Sequence, residues 1–335
     1  MKYSVSKQKG EVITDIPMPR IRFHLLGALA CTLALFVPLK SGSAQTSQDL
    51  DRADLLRPQP GTPGGPTVTT NGLENGNVVA SPNDPDLGEQ QILKHAEQYQ
   101  PFSASVGVPF YWTSNVALVN SGEESDFIVA PGASVSYAPR FSKRLYGSVG
   151  VSEQLFYYDR FSEFNFGSFD VGAGLSYLCP ELHNLVLRAA YHYNRLTSDN
   201  SFDDFFSDHS LTLGADMPFR IGRAQQVSIG VQTNISLAAD PEPPRRSDFE
   251  AYVGYGVQLS RSFSLNASGR IVVREYHQGD RTDVSEVLAL SASYRVMKYV
   301  TASAVTSFAA NQSDQSVFDY EVANIGGAVG LSITF

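Results

Sequence analysis

Cysteine is nearly absent from this sequence: Cys31 and Cys179 are the only two among 335 residues. Charge is scarce too, with Asp, Glu, Lys and Arg together making 18% of the chain. Apart from residues 25–39 there is no long apolar run, and nowhere does a long amphipathic helical pattern appear. These absences exclude a disulfide-stapled scaffold, a helical bundle and a multi-span helical membrane protein. Elements of catalysis are missing as well. No Gly-x-Ser-x-Gly elbow, metal-ligand spacing or calcium-loop spacing occurs, so no cofactor is implied. What is plentiful is Gly (27), Phe (20) and Tyr (16), the composition of a chain rich in strands and turns.

The apolar run at 25–39 follows Arg20 and Arg22 and precedes the small residues Gly42, Ser43 and Ala44. That is the pattern of an export signal cleaved after Ala44, with translation starting at Met1 or, for a signal of ordinary length, at Met18. Ala28-Leu29-Ala30-Cys31 lacks the leading Leu of a lipidation box, so lipid attachment is not expected. Without residues 1–44, which hold six Lys/Arg and two Asp/Glu, 19 basic and 32 acidic residues remain. A chain so acidic makes nucleic acid an improbable partner. Cys31 leaves with the signal, and a lone Cys179 forms no internal disulfide.

Residues 45–85 are rich in Pro, Gly and polar side chains and read as a periplasmic linker. A short helix is expected at 86–98, with Leu87, Ile92 and Leu93 as its apolar patch. From Pro101 onward the period becomes two. Phe102, Ala104, Val106, Val108, Phe110 and Trp112 alternate with Ser103, Ser105, Gly107, Pro109, Tyr111 and Thr113. The script recurs in about twelve runs, at 102–113, 125–138, 144–157, 166–178, 185–196, 207–219, 226–237, 248–260, 263–276, 284–296, 299–310 and 321–335. Five tight turns alternate with six connections that are mostly longer and acidic, as an up-and-down barrel with both ends on one side requires.

The less apolar face carries Gly, Ser, Ala and Asn rather than the Lys and Glu of a water-facing sheet, which suits an enclosed lumen. Aromatics bracket the runs: Trp112, Phe156, Tyr157, Tyr191, Tyr193 and Phe249 near the loop ends, and Phe102, Tyr137, Tyr177, Phe219, Phe263, Tyr294 and Phe335 near the turn ends. Two such girdles are expected at the two lipid–water interfaces. The expected fold is therefore all-β, a transmembrane antiparallel barrel over residues 101–335.

The last strand, Val329-Gly-Leu-Ser-Ile-Thr-Phe335, resembles the terminal strand of Gram-negative outer-membrane β-barrels. There Leu331, Ile333 and the final Phe335 are similar to the signal read by the barrel-assembly machinery. Phe110-Tyr-Trp-Thr-Ser-Asn-Val116 is similar to first-strand segments of the broadly defined β-barrel porins. The resemblance covers the barrel and not residues 45–100. It implies an outer-membrane location among lipids and lipopolysaccharide, a periplasmic N-terminal segment, and passage of small hydrophilic solutes.

If the apolar face meets lipid, Arg188, His192, Arg270, Arg274 and Arg295 face the lumen with Asp170, Asp216, Glu250, Gln154 and Asn234. Such an arginine row favours anionic solutes, or else pairs with the lumen carboxylates and fills the barrel. Glu123, Glu124, Asp203, Asp204, Asp208, Asp240, Glu242, Asp280 and Asp283 read as a solvated acidic rim or as divalent-ion ligands at the lipopolysaccharide surface. Gating is assigned to lumen side chains or to the N-terminal segment, since no loop is long enough to fold inward. The alternative is a barrel hydrolase of phospholipid or lipopolysaccharide built on His192, on His209 beside Asp208, or on His277 near Asp280 and Asp283. A third reading is a structural or assembly barrel linked to polysaccharide export.

Overall fold

The computed structural model describes residues 41–57, 66–69, 72–75, 99–198, 203–222 and 224–335. Twelve antiparallel strands form one closed barrel. They are β1 (Phe102–Thr113), β2 (Asp126–Val129 continued by Gly132–Tyr137), β3 (Leu145–Tyr158), β4 (Phe166–Cys179), β5 (Leu185–Ser198) and β6 (Asp204–Arg220). Then come β7 (Gln225–Asp240), β8 (Arg246–Gln258), β9 (Phe263–Tyr276), β10 (Thr282–Arg295), β11 (Val300–Ser313) and β12 (Tyr320–Thr334). Each pairs with its sequence neighbour, and β12 returns to pair with β1 from Asn324 opposite Thr113 to Thr334 opposite Ser103. The alternation expected from Pro101 onward matches these strands closely.

Closure is carried to the last residue. Phe102 N donates to Phe335 O at 3.1 Å, and Phe335 N to Phe102 O at 3.0 Å. The Phe102 ring stacks on both Phe335 and Tyr137, with centroids 5.6 and 4.6 Å apart. One local break interrupts the ladder: β2 parts at Ala130-Pro131, opposite Pro109 of β1. Pro cannot donate to a ladder, so two of them facing each other halt the pairing for a step. The backbone is still served, since Ala130 N donates to Pro109 O at 2.8 Å and Leu155 N to Pro131 O at 2.9 Å.

The outer surface is apolar where a bilayer would touch it. Val106, Val108, Phe110, Val149, Val151, Leu175, Ile229, Val231, Val253, Ile271, Leu290, Ile325 and Val329 are exposed, and Leu288 is 64% exposed. A water-facing sheet with this belt would aggregate, whereas in lipid it is the solvated face. Of the expected girdle residues, Tyr137, Tyr157, Tyr177, Tyr191, Phe249, Tyr294, Phe102 and Phe335 are exposed on this surface. Phe156 is not among them. It faces inward, fully buried, with its ring stacked on Phe166 at 4.5 Å. Its even number in β3 puts it on the lumen face with Tyr146 and Tyr158, and period two outranks its place near the strand end.

The segment read as linker holds the main departure. Ser41–Leu56 is an α-helix, α1, whose residues from Thr46 onward are largely buried against the inner wall of the barrel. It includes the expected cleavage position after Ala44, and its Ala53, Leu55 and Leu56 pack inside the barrel. Pro66–Thr69 and Gly72–Asn75 pair as a small hairpin within the same segment. The expected helix at 86–98 falls outside the described residues. What hid α1 is its low amphipathicity: it is enclosed, so its polar residues find partners on the wall instead of water.

Gly326 of β12 marks the tightest point of the closing seam. A Cβ there would stand 2.3 Å from the Phe110 carbonyl oxygen, whereas one at Gly330 would keep 3.6 Å from the Val106 oxygen. Gly326→Ala is expected to cost about 1–3 kcal/mol through backbone displacement. It should lower the fraction of refolded, heat-modifiable protein on gels, with Gly330→Ala indistinguishable from the parent.

Candidate functional site

Ion pairs between α1 and the barrel wall dominate the lumen. Asp51 Oδ1 accepts from Arg246 Nη1 of β8 at 2.7 Å and lies 3.7 Å from Arg274 Nη2 of β9. Asp54 Oδ2 accepts from Arg270 Nη2 at 2.6 Å and from Arg274 Nη2 at 3.4 Å. Asp51 and Asp54 are three residues apart, which places them on one side of the helix. Arg246, Arg270 and Arg274 share parity on adjacent strands, so all three reach inward to the same side. The Tyr320 hydroxyl donates to Asp51 Oδ2 at 3.4 Å.

The wall arginines also use wall partners. Arg270 meets Glu250 at 3.3 Å, Arg246 meets Asp248 at 3.2 Å, and Arg281 is forked onto Asp283. Arg274 is different. It is fully buried, receives support from Asn311 Oδ1 at 3.1 Å, and among the described residues has its carboxylate contacts within 4 Å on α1, with Asp248 and Asp283 opposite it in register. Glu250, Arg270 and Arg274 lie buried on the inner wall. Asp51, Asp54, Arg246 and Arg281 were not anticipated, and the Asp51-x-x-Asp54 spacing was the one signal that could have revealed them.

The other helix faces are packed. Ala53 and Leu56 join Tyr111, Val116, Ile128, Phe156, Tyr158, Phe166, Leu196 and Phe206 in one cluster, and Leu55 packs with Leu118, Val287, Ala309, Tyr320 and Val322 in another. Arg52 pairs with Asp49 within the helix, donates to Val116 O at 2.8 Å and lies over the Phe164 ring at 4.2 Å. Tyr111 Oη donates to Leu56 O at 3.0 Å, and Arg57 to Ser168 Oγ at 2.5 Å. Toward β1, β2 and β12 the fit leaves a cavity of about 10 Å³. Toward β4–β8 a polar crevice of about 250 Å³ remains. Five carboxylates line it, from Asp54, Asp170, Asp208, Asp248 and Glu250, with Arg57, His192, Arg246 and Arg270.

Of the remaining expected lumen residues, Asp170, His192 and Asn234 line the same crevice as Asp54. Arg188 is half-exposed and pairs with Asp216 on the neighbouring strand, and His192 Nδ1 is 3.4 Å from Asp170 Oδ1. Arg295 is exposed at the end of β10 and has no ion-pair partner among the described residues. Gln154 and Asn234 face inward, the latter accepting from Thr212 Oγ1 at 3.0 Å. Toward the turn end the wall carries short side chains, such as Ser103 bonded to Ser136 at 2.6 Å and Ser105 to Ser134 at 2.7 Å. Arg188 is partly exposed here.

The acidic rim is only partly a rim. Glu124 pairs with Arg160, Asp204 with Arg195 and Glu242 with Arg245 at exposed positions. Asp283 is fully buried against Arg281, and Asp208 reaches inward to Ser236 Oγ at 2.5 Å. Among the described residues no group of three or more His, Cys, Asp or Glu is placed to hold a metal ion. The hydrolase candidates also come apart. His209 and Asp208, adjacent in β6, face opposite sides of the wall, and His209 Nδ1 bonds to Tyr191 Oη at 2.5 Å. His277 Nε2 does stand 3.0 Å from Ser247 Oγ, but Asp283, expected beside it, is held by Arg281.

No family model matches this chain, and no curated protein does. Solved structures do. The COG4313 outer membrane channel from Pseudomonas putida F1 aligns over 71% of this chain and 98% of its own, at 12% identity and a TM-score of 0.47. The translocator domain of the autotransporter NalP from Neisseria meningitidis aligns over 71% and 90%, at 12% identity and 0.41. The Salmonella typhi outer membrane phospholipase aligns over 68% and 90%, at 13% identity and 0.41. A channel, a translocator and a phospholipase have the same kind of wall, so the likeness is one of fold alone. The fold itself is a closed barrel of twelve antiparallel strands.

Losing both helix carboxylates should free α1. Arg52 and Arg57 are trypsin sites, and Arg52 is buried by the docked helix. The folded parent is expected to resist cleavage after Arg52, and Asp51→Asn with Asp54→Asn together to admit it at least tenfold faster, read by mass spectrometry of the released peptide.

Proposed function

We propose that this protein is an outer-membrane channel for small hydrophilic solutes whose passage is governed by α1, a plug seated in the lumen. The observation that carries this reading is the pair of carboxylates, Asp51 and Asp54, held by Arg246, Arg270 and Arg274 on the wall. The short-side-chain lumen beyond the helix gives a solute room at the turn end, and the helix restricts it at the loop end. With the plug seated, the route left is the crevice along β4–β8, whose lining is richer in carboxylates than in cations. Fixed charge of one sign raises the local concentration of the opposite ion, so the seated state favours small cations. With the plug away, Arg270 and Arg274 face the lumen and the preference turns toward anions.

A channel is favoured over a hydrolase because the buried polar groups of the lumen are spent on holding the helix. Ser247 and His277, a Ser–His pair in hydrogen-bond contact, have no carboxylate or amide among the described residues orienting the second ring nitrogen, as nucleophilic catalysis would use. Ser247 is itself buried.

The test is electrical. Refolded full-length protein in planar bilayers should give small, infrequent, cation-favouring steps, and the Asp51→Asn, Asp54→Asn double variant larger and more frequent ones with the reversal potential shifted toward anions. A barrel that stays silent in both forms would overturn the channel.

A further inference from the structure

Three wall arginines converge on the two carboxylates that α1 presents, and each has other partners on the wall. Arg246 has Asp248, Arg270 has Glu250 and Arg281 has Asp283, all on the barrel itself. Arg274 stands opposite Asp248 of β8 and Asp283 of β10 in the strand register, but among the described residues the carboxylates within 4 Å of its guanidinium are Asp51 and Asp54 of α1. The helix carboxylates thus occupy a site that Arg246, Arg270 and Arg274 form together.

We propose that this wall site binds solutes bearing two carboxylates, and that such a solute opens the channel by taking the place of Asp51 and Asp54. The proposal rests on the channel reading above and names its ligand class. The geometry of the site is set by the carboxylates it now holds. Both approach Arg274 Nη2, at 3.7 and 3.4 Å, so their oxygens lie within about 7 Å of each other, consistent with side chains one helical turn apart. Arg246 and Arg270 flank that nitrogen and complete one carboxylate subsite each, at 2.7 and 2.6 Å. The Tyr320 hydroxyl and Tyr276, whose hydroxyl accepts from Arg246 Nη1 at 3.1 Å, add polar edges to the first subsite. A single carboxylate fills half of this arrangement. A flexible dicarboxylate of about three to five carbons spans both halves. The ligand shifts the plug equilibrium only because it binds the unplugged wall and not the plugged one, the condition for any population shift.

Glutarate is the probe, with butyrate at matched ionic strength as the single-carboxylate control, added to the full-length protein in planar bilayers. Glutarate in the millimolar range is expected to raise open probability at least fivefold, butyrate by less than a factor of two. Arg274→Gln should abolish the glutarate response, and Arg274→Lys, which keeps the charge but loses the fork, should retain part of it. Heat-modifiable migration on gels establishes that each variant is a folded barrel, and trypsin cleavage after Arg52 reports plug release independently of current. Opening by Asp51→Asn with Asp54→Asn but no response of the parent to glutarate would overturn this inference and leave the channel standing. Equal responses to glutarate and butyrate would also overturn it, since they mean general screening of charge. Silence of every form would overturn the channel reading itself.

Discussion

Every backbone amide of a chain that crosses a bilayer as strands must find a partner on a neighbouring strand, because lipid supplies none. That constraint decides most of what is seen here. It requires the sheet to close, so β12 returns to β1 and Phe335 pairs with Phe102. It tolerates the prolines at 109 and 131 only because the groups around them are served by shifted bonds. It also inverts the usual placing of apolar side chains, turning Leu288 and its neighbours outward and leaving the inner face to Ser, Gly and charge.

An inner face of that kind creates the second problem, which is charge in a confined space. Opposed strands solve it in part, by pairing Arg188 with Asp216 and Arg270 with Glu250. Arg274 has Asp248 and Asp283 across from it in register, and α1 brings two further carboxylates within reach of its guanidinium. The helix contributes apolar packing against Tyr111, Phe156 and Phe206 on one side and two carboxylates on another. Packing holds it in position while the ion pairs fix its register. Buried pairs of this type add less to stability than they do to uniqueness of the bound arrangement, which suits a part that has to seat in one way.

The barrel was legible in the sequence because period two needs no tertiary knowledge: alternation alone places Arg270 and Arg274 on one face and Ile271 on the other. The number of strands and the side on which both barrel ends lie came from the same signal. The plug was not legible. A helix buried on all sides has no apolar stripe to display, and Ser41–Leu56 has Asp, Arg and Gln where an amphipathic helix would show Leu. Phe156 shows a smaller version of the same limit, since its place near a strand end suggested a lipid girdle while its parity put it inside. Likewise Asp208 and His209 look like a pair in the sequence and are separated by the thickness of the wall.

Asp51 and Asp54 belong to one rigid helix and meet one group of arginines, so they cannot leave separately. Successive residues on an α-helix are about 100° apart, and a rotation of that size carries both carboxylates off the wall together. On the channel reading proposed above, partial withdrawal would break the contacts without widening the passage, so the helix would act as a latch with two positions and not as a valve of adjustable bore.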